Sequence, residues 1–308
     1  MPRKLRAVFF VASAALLWSL DSIFRLRSLQ ALDPLLIVFW EHVFGLLFLI
    51  PFVPRKQLRE DWKKFHPRDI LPLLVLGLGG SALGGIFYSE GLHLLGPSAN
   101  NIFQMIQPVF VLILAYFLLK EKASGIFFQW SLWIVISAVV ICIPDFTFGY
   151  QEQSSQNLWT GVFCGLMAAF LWGCSTVAGK WLLGIYSISV LLLFRWTVAT
   201  LSLFVIIVSR GLSFHSEVLF SWNEFMTFFI LASVVGVLPM GIYYRGLREL
   251  PASMATFIEL FYPIFGIFLP AVINHTQLAE VQWLGGIAAF IGIIFLIMMD
   301  VGFNSKKL

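Results

Sequence analysis

The sequence predicts an all-α polytopic membrane protein of ten transmembrane helices in a 5+5 inverted-topology repeat. Three observations carry that reading. Of 308 residues, 59% are hydrophobic and only 12% charged, and the mean hydropathy is +0.90. A soluble domain carries about 45–50% apolar and about 25% charged residues, so a water-soluble enzyme, a disordered chain and a secreted disulfide scaffold are excluded. Ten apolar runs approach the roughly 20 residues that cross a bilayer. The two halves also match each other at a nearly constant offset.

The spans are expected at 6–27, 34–53, 70–92, 98–119, 126–143, 158–182, 187–209, 225–248, 252–273 and 279–300. The first run follows Arg3, Lys4 and Arg6 as a signal peptide would, but its internal counterpart marks it as a retained helix. The longest connections, 54–69, 144–157 and 210–224, do not resemble domain linkers. With a cytoplasmic N-terminus, sixteen Lys and Arg fall in inner segments and three (Arg25, Arg27, Arg210) in outer ones. This asymmetry places both termini on the cytoplasmic side of the inner membrane. The net charge of +4 therefore reports topology, and no nucleic-acid partner is expected. Cys142, Cys164 and Cys174 are odd in number and lack CxxC spacing, so they read as buried thiols. Asn274-His275-Thr276 fits a glycosylation sequon, a pattern short enough to arise by chance.

The repeat is explicit in residues. Ala14-Ala15-Leu16-Leu17-Trp18 matches Ala168-Ala169-Phe170-Leu171-Trp172 at an offset of 154, which also places Glu41 on Arg195. At 155, Tyr88, Gly91, Leu92, Leu95, Ser98, Pro108 and Phe110 fall on Tyr243, Gly246, Leu247, Leu250, Ser253, Pro263 and Phe265. Gln129-Trp130 matches Gln282-Trp283 at 153. The halves are 1–150 and 151–308. Five helices per half is odd, so the second half enters from the opposite face, as in many secondary transporters. Two similar halves of opposite orientation have two conformations of similar energy, one open to each side.

With these motifs the chain resembles the EamA-type branch of the drug/metabolite transporter superfamily over residues 7–300. The resemblance implies a central cavity walled by both halves and export or import of small organic solutes. It also implies peripheral or dimer-contact roles for the fifth and tenth helices, in a monomer or homodimer. Members commonly carry Arg in the second helix. Here the second helix has Glu41-His42 and the Arg appears in the seventh, as Arg195, so the family's better-known substrates do not transfer.

Charges deep in a bilayer face a cavity or a partner. Glu41 reads either as a structural partner of Arg195 or as a proton or cation site. Arg195 either binds a substrate carboxylate or phosphate or holds Glu41 charged. Asp21 answers Arg25 at i+4 on one helix face. Glu259, whose counterpart is Gln104, reads as cavity lining, and His42 as a hydrogen-bond partner of its surroundings. Asn100, Gln104 and Gln107 form one stripe, which must face water, protein or ligand because lipid cannot satisfy it. Trp18, Trp40, Trp172, Tyr88, Tyr243, Tyr244 and Tyr262 are candidate aromatic walls. No P-loop, GxGxxG or HExxH is present, so neither cofactor nor metal is expected and ATP does not drive the cycle directly. The expected function is alternating-access transport of a small polar or amphipathic metabolite, an amino-acid-like zwitterion first, driven by its own gradient or by protons with Glu41 or Glu259 as carrier. The alternatives are a lipid-acting membrane enzyme and a passive channel. Glu41 and His42, about 100° apart on a helix, make a poor catalytic dyad.

Overall fold

The computed structural model describes residues 3–29, 32–122, 124–142, 155–214, 221–273 and 279–304. The sequon, the connection 144–154 and the junction between the halves lie outside these. The described residues form α-helices α1 (Arg3–Trp18), α2 (Asp21–Ser28), α3 (Pro34–Leu49), α4 (Arg55–Trp62), α5 (Ile70–Leu74), α6 (Gly84–Gln104), α7 (Gln107–Leu114), α8 (Gly125–Cys142), α9 (Ser155–Leu182), α10 (Ile188–Ser209), α11 (Trp222–Ile230), α12 (Leu238–Glu249), α13 (Ala252–Glu259), α14 (Phe261–Ile273) and α15 (Glu280–Asn304). Eight stretches are long and apolar enough to cross a membrane. Gly125–Ser137 and Ala252–Gly266, at the fifth and ninth expected positions, are shorter apolar helices. Large side chains such as Phe117, Leu118, Leu132, Leu201, Val205 and Leu284 point outward and are mostly exposed. Such a surface suits hydrocarbon, and the chain is a multi-pass membrane protein.

The packing crosses between halves. α1 lies on α12, α9 lies on α6 and the segment preceding it, α3 faces α10, and α8 faces α15. Small residues permit the close approaches. A Cβ at Gly80 would lie 2.3 Å from Ser175, and one at Gly165 would lie 2.6 Å from Phe103, which is the use expected of GxxxG patterns.

The helices break where the sequence removes donors. Pro108 and Pro263 have no N–H to offer the carbonyls of Gln104 and Glu259 four residues back. The chain turns at Met105-Ile106 and at Leu260, two sites related by the repeat. Of three π-helical stretches among the described residues, Val75–Leu83 and Leu231–Val237 are likewise related, and the third is Ala115–Leu119. In the first of these the bonding runs five residues back, from Gly84 N–H to Gly79 O. Gly96, with φ 77° and followed by Pro97, kinks α6 between the third and fourth expected spans. The first expected span is interrupted: α1 ends at Trp18, a turn occupies Ser19-Leu20, and α2 starts at Asp21. Its counterpart in the second half runs unbroken through α9. α3 starts on an Asp33 cap that accepts from Leu35 N–H at 2.8 Å, with Pro34 in the first turn.

One end of the bundle, rich in Lys and Arg, is tied across the halves. Asp61 accepts from Ser187 N–H at 2.8 Å and from Lys64 at 2.7 Å. Burial opposes the charge on Asp61, but these donors together hold its carboxyl below the usual range. Tyr186 donates to Asp69 at 2.5 Å; burial first, then this carboxylate, push the phenol above its ordinary value. Glu121 accepts from the N–H groups of Ala252 and Ser253 and from the Ser253 hydroxyl, at 2.8, 3.1 and 2.7 Å. Arg3 pairs with Glu249 at 2.5 Å. Within the second half, Lys180 donates to the carbonyls of Leu247, Arg248 and Leu250, at 2.8, 3.0 and 2.7 Å.

Candidate functional site

A cavity of ≈ 160 Å³ lies where the two halves meet. That is about ten times the space a single buried water requires. It is walled by the broken helices and by α3, α9, α10 and α12.

At the α2–α3 side, Arg25 is the central group. Its guanidinium grips Asp21 with two bonds, at 2.7 and 2.6 Å, and reaches Glu41 at 2.8 Å and the Ser89 hydroxyl at 3.2 Å. It also lies 5.9 Å from the centre of the Tyr88 ring. Arg25, in α2, is buried among these partners rather than lying in an outer segment. One cation thus serves two carboxylates. The expected pairing of Asp21 with Arg25 is present, as a buried pair. The pairing of Glu41 with Arg195 is not: Glu41 belongs to Arg25.

Arg195 sits in a bed of hydroxyls. Nε donates to Ser81 at 2.6 Å, and Nη1 donates to Ser175 at 3.2 Å and to Tyr244 at 2.9 Å. Among the described residues no carboxylate pairs with it, and its Nη2 makes no protein bond. It is buried and lines the cavity. A guanidinium with neutral partners and free donors can take an anionic or carbonyl-bearing group.

Glu259, the last residue of α13, accepts from the Tyr243 hydroxyl and from Gln107 Nε2, the latter at 3.0 Å. Tyr243 also lies 3.4 Å from the Thr176 hydroxyl. Gln104 donates to Gly165 O at 3.3 Å, while its Oε1 and the Thr256 hydroxyl have no protein partner among the described residues.

The aromatic walls exchange partners between halves. Trp18 packs on Tyr243 with centroids 5.3 Å apart, and its counterpart Trp172 packs on Tyr88 at 5.1 Å. Tyr262 and Tyr88 share a hydroxyl contact of 2.5 Å. Trp172 donates to Gly80 O at 2.9 Å. His42 donates from Nδ1 to Val38 O at 2.7 Å and lies 5.8 Å from Trp196.

Thus Asp21, Glu41, His42, Tyr88, Gln104, Gln107, Trp18, Trp172, Arg195, Tyr243, Glu259 and Tyr262 all reach the cavity wall. Asn100 does not. The kink at Gly96 turns it back along its own helix, where it donates to Tyr88 O at 3.2 Å and packs against Gly91. Tyr244, an expected aromatic wall, is there too; Arg25, Ser81, Ser175 and Trp196 belong to the wall although the sequence did not single them out as wall residues. The i,i+4 spacing of Asp21 and Arg25 was the one available signal.

Comparison with known proteins agrees with this architecture. A model of the EamA-like transporter family matches twice, over residues 5–143 and 159–298. The riboflavin transporter ImpX of Fusobacterium nucleatum is 28% identical over 301 residues, covering 96% of this chain and 98% of that protein. The uncharacterized transporter YoaV of Bacillus subtilis is 24% identical, covering 96% and 97%. A solved crystal structure superposes with a TM-score of 0.71 over 99% of each chain at 16% identity, a likeness of fold. The two family matches together span nearly the whole chain, and the protein belongs to the EamA-like transporter family.

Proposed function

We propose that the protein is a secondary transporter carrying a small amphipathic metabolite across the cytoplasmic membrane by alternating access. In this reading ten helices form two inverted five-helix halves, and both termini are cytoplasmic. The observation that carries it is the cavity between repeat-related elements: matched breaks at Met105-Ile106 and Leu260, and matched Trp–Tyr pairs that cross the halves. The ties at the basic end link the halves there, as one closed gate of a carrier would.

Riboflavin is the first substrate to test. A full-length relative is named as its transporter, the two Trp–Tyr pairs suit a flat ring, and Arg195, Gln104 and Gln107 suit its carbonyl edge and hydroxyls. An amino-acid-like zwitterion is the second, because Arg195 lacks a carboxylate partner. Counterflow in proteoliposomes decides between them. Vesicles preloaded with unlabelled riboflavin, or with an amino-acid pool, are offered the labelled solute. Transient, saturable accumulation is expected for one of them. Leak without accumulation supports a channel, and no flux with folded protein supports the enzyme reading.

A further inference from the structure

We propose that Glu259 is the proton-binding site of this carrier and that Glu41 is not; the coupling role rests on the transporter reading above. Three carboxyls and two arginines line the cavity. Asp21 and Glu41 both bind Arg25 directly, so protonating either one breaks a buried charge pair. Glu259 has no cation in contact. One proton on it makes the charges of the five groups sum to zero.

The hydrogen bonds around Glu259 accommodate both states. As a carboxylate it accepts from Tyr243 at one oxygen and from Gln107 at the other. As an acid it must donate. The Tyr243 oxygen accepts that proton's bond, and the Tyr243 hydroxyl turns to Thr176, 3.4 Å away. Gln107 keeps donating to the other oxygen. No polar group is orphaned in either state, which matters where an unmet bond is costly. The groups facing Glu259 from each side are Tyr243 on α12, Gln107 on α7 and Thr176 on α9. Arg195 on α10 is the charged group whose field reaches it.

Glu259 also ends α13, at the break left by Pro263, and Gln107 starts α7, at the break before Pro108. The proton site therefore bridges the two halves at their matched discontinuities. A proton taken from the water on one side is released to the other after the halves rearrange, one proton per carboxyl per cycle.

Infrared difference spectroscopy on the purified full-length protein, titrated without any solute, reads the carboxyl directly. The expected result is a pH-dependent band of a protonated carboxylic acid that is lost in Glu259→Gln and kept in Glu41→Gln and Asp21→Asn. Tyr243→Phe should keep the band but move it to higher frequency, because the acid loses its bonding partner. A band that survives Glu259→Gln, or disappears in Glu41→Gln instead, overturns the proposal. In proteoliposomes, an imposed pH gradient should change riboflavin uptake several-fold in the wild type and not in Glu259→Gln; an equal response in both overturns the coupling. If riboflavin does not move at all, the substrate reading fails while the infrared result still decides the proton site.

Discussion

Replacing Arg25 with Met should destabilise the protein more than removing either of its acidic partners. Arg25 is buried, and its guanidinium is the only direct cation for Asp21 and Glu41 among the described residues. Deleting it leaves two carboxylates in the bundle. An uncompensated buried charge costs about 3–5 kcal/mol, which corresponds to about 6–10 °C in midpoint for a chain of this size. Glu41→Gln leaves the two-bond grip on Asp21 intact and removes one charge-assisted bond, worth about 1.5–3 kcal/mol. The triple variant Arg25→Met, Asp21→Asn, Glu41→Gln has no charge left to bury and should return to within about 2 kcal/mol of the wild type. Cys164 is buried and Cys174 half-buried, and both are free thiols, so a thiol-reactive dye reports unfolding in detergent. Heating at one fixed rate ranks the variants even where unfolding is irreversible. If Arg25→Met unfolds no earlier than Glu41→Gln, or if the triple variant is as unstable as Arg25→Met, the charge argument is wrong.

Other outcomes follow from the same geometry. Lys180→Met removes the donor shared by three carbonyls at the end of α12; the cost is about 1–3 kcal/mol, and faster amide exchange over 247–250 checks it. Gly80→Ala places a Cβ 2.3 Å from the Ser175 hydroxyl that holds Arg195, whereas Gly79→Ala meets nothing nearer than 3.8 Å. Counterflow should therefore fall strongly for the first and little for the second. Asp61 has its folded value lowered, so its stabilisation is complete above the ordinary carboxylate range and is lost as pH falls through the folded value. Thermal scans of the wild type should show that acid limb, and Asp61→Asn should flatten it.

Much of the fold was legible because lipid imposes a simple code. Apolar runs, the Lys and Arg asymmetry and the repeated Tyr, Gly and Pro positions indicated the multi-pass architecture and the breaks near Pro108 and Pro263. The kink at Gly96-Pro97 also had its signal in the dipeptide. The site was legible by composition but not by connection. Repeat logic placed Glu41 on Arg195, yet sequence counterparts in a repeat are not thereby neighbours. Arg25 was hidden because a charge at the end of an apolar run normally serves topology, whereas here it is buried among Asp21, Glu41 and Ser89. Ser81 and Ser175 were silent because hydroxyls in membrane helices usually bond their own backbone; Tyr244 was legible as an aromatic wall but not as a partner of Arg195.

The two repeat-related π-helical stretches lead into helices that carry adjacent residues with different duties. After Val75–Leu83 come Tyr88, bonded to Tyr262, and Ser89, bonded to Arg25. After Leu231–Val237 come Tyr243, bonded to Glu259, and Tyr244, bonded to Arg195. A π-turn holds about one residue more than an α-turn. Tightening it would wind the following helix about 100° around its axis, enough for one member of each pair to move into the place of its neighbour.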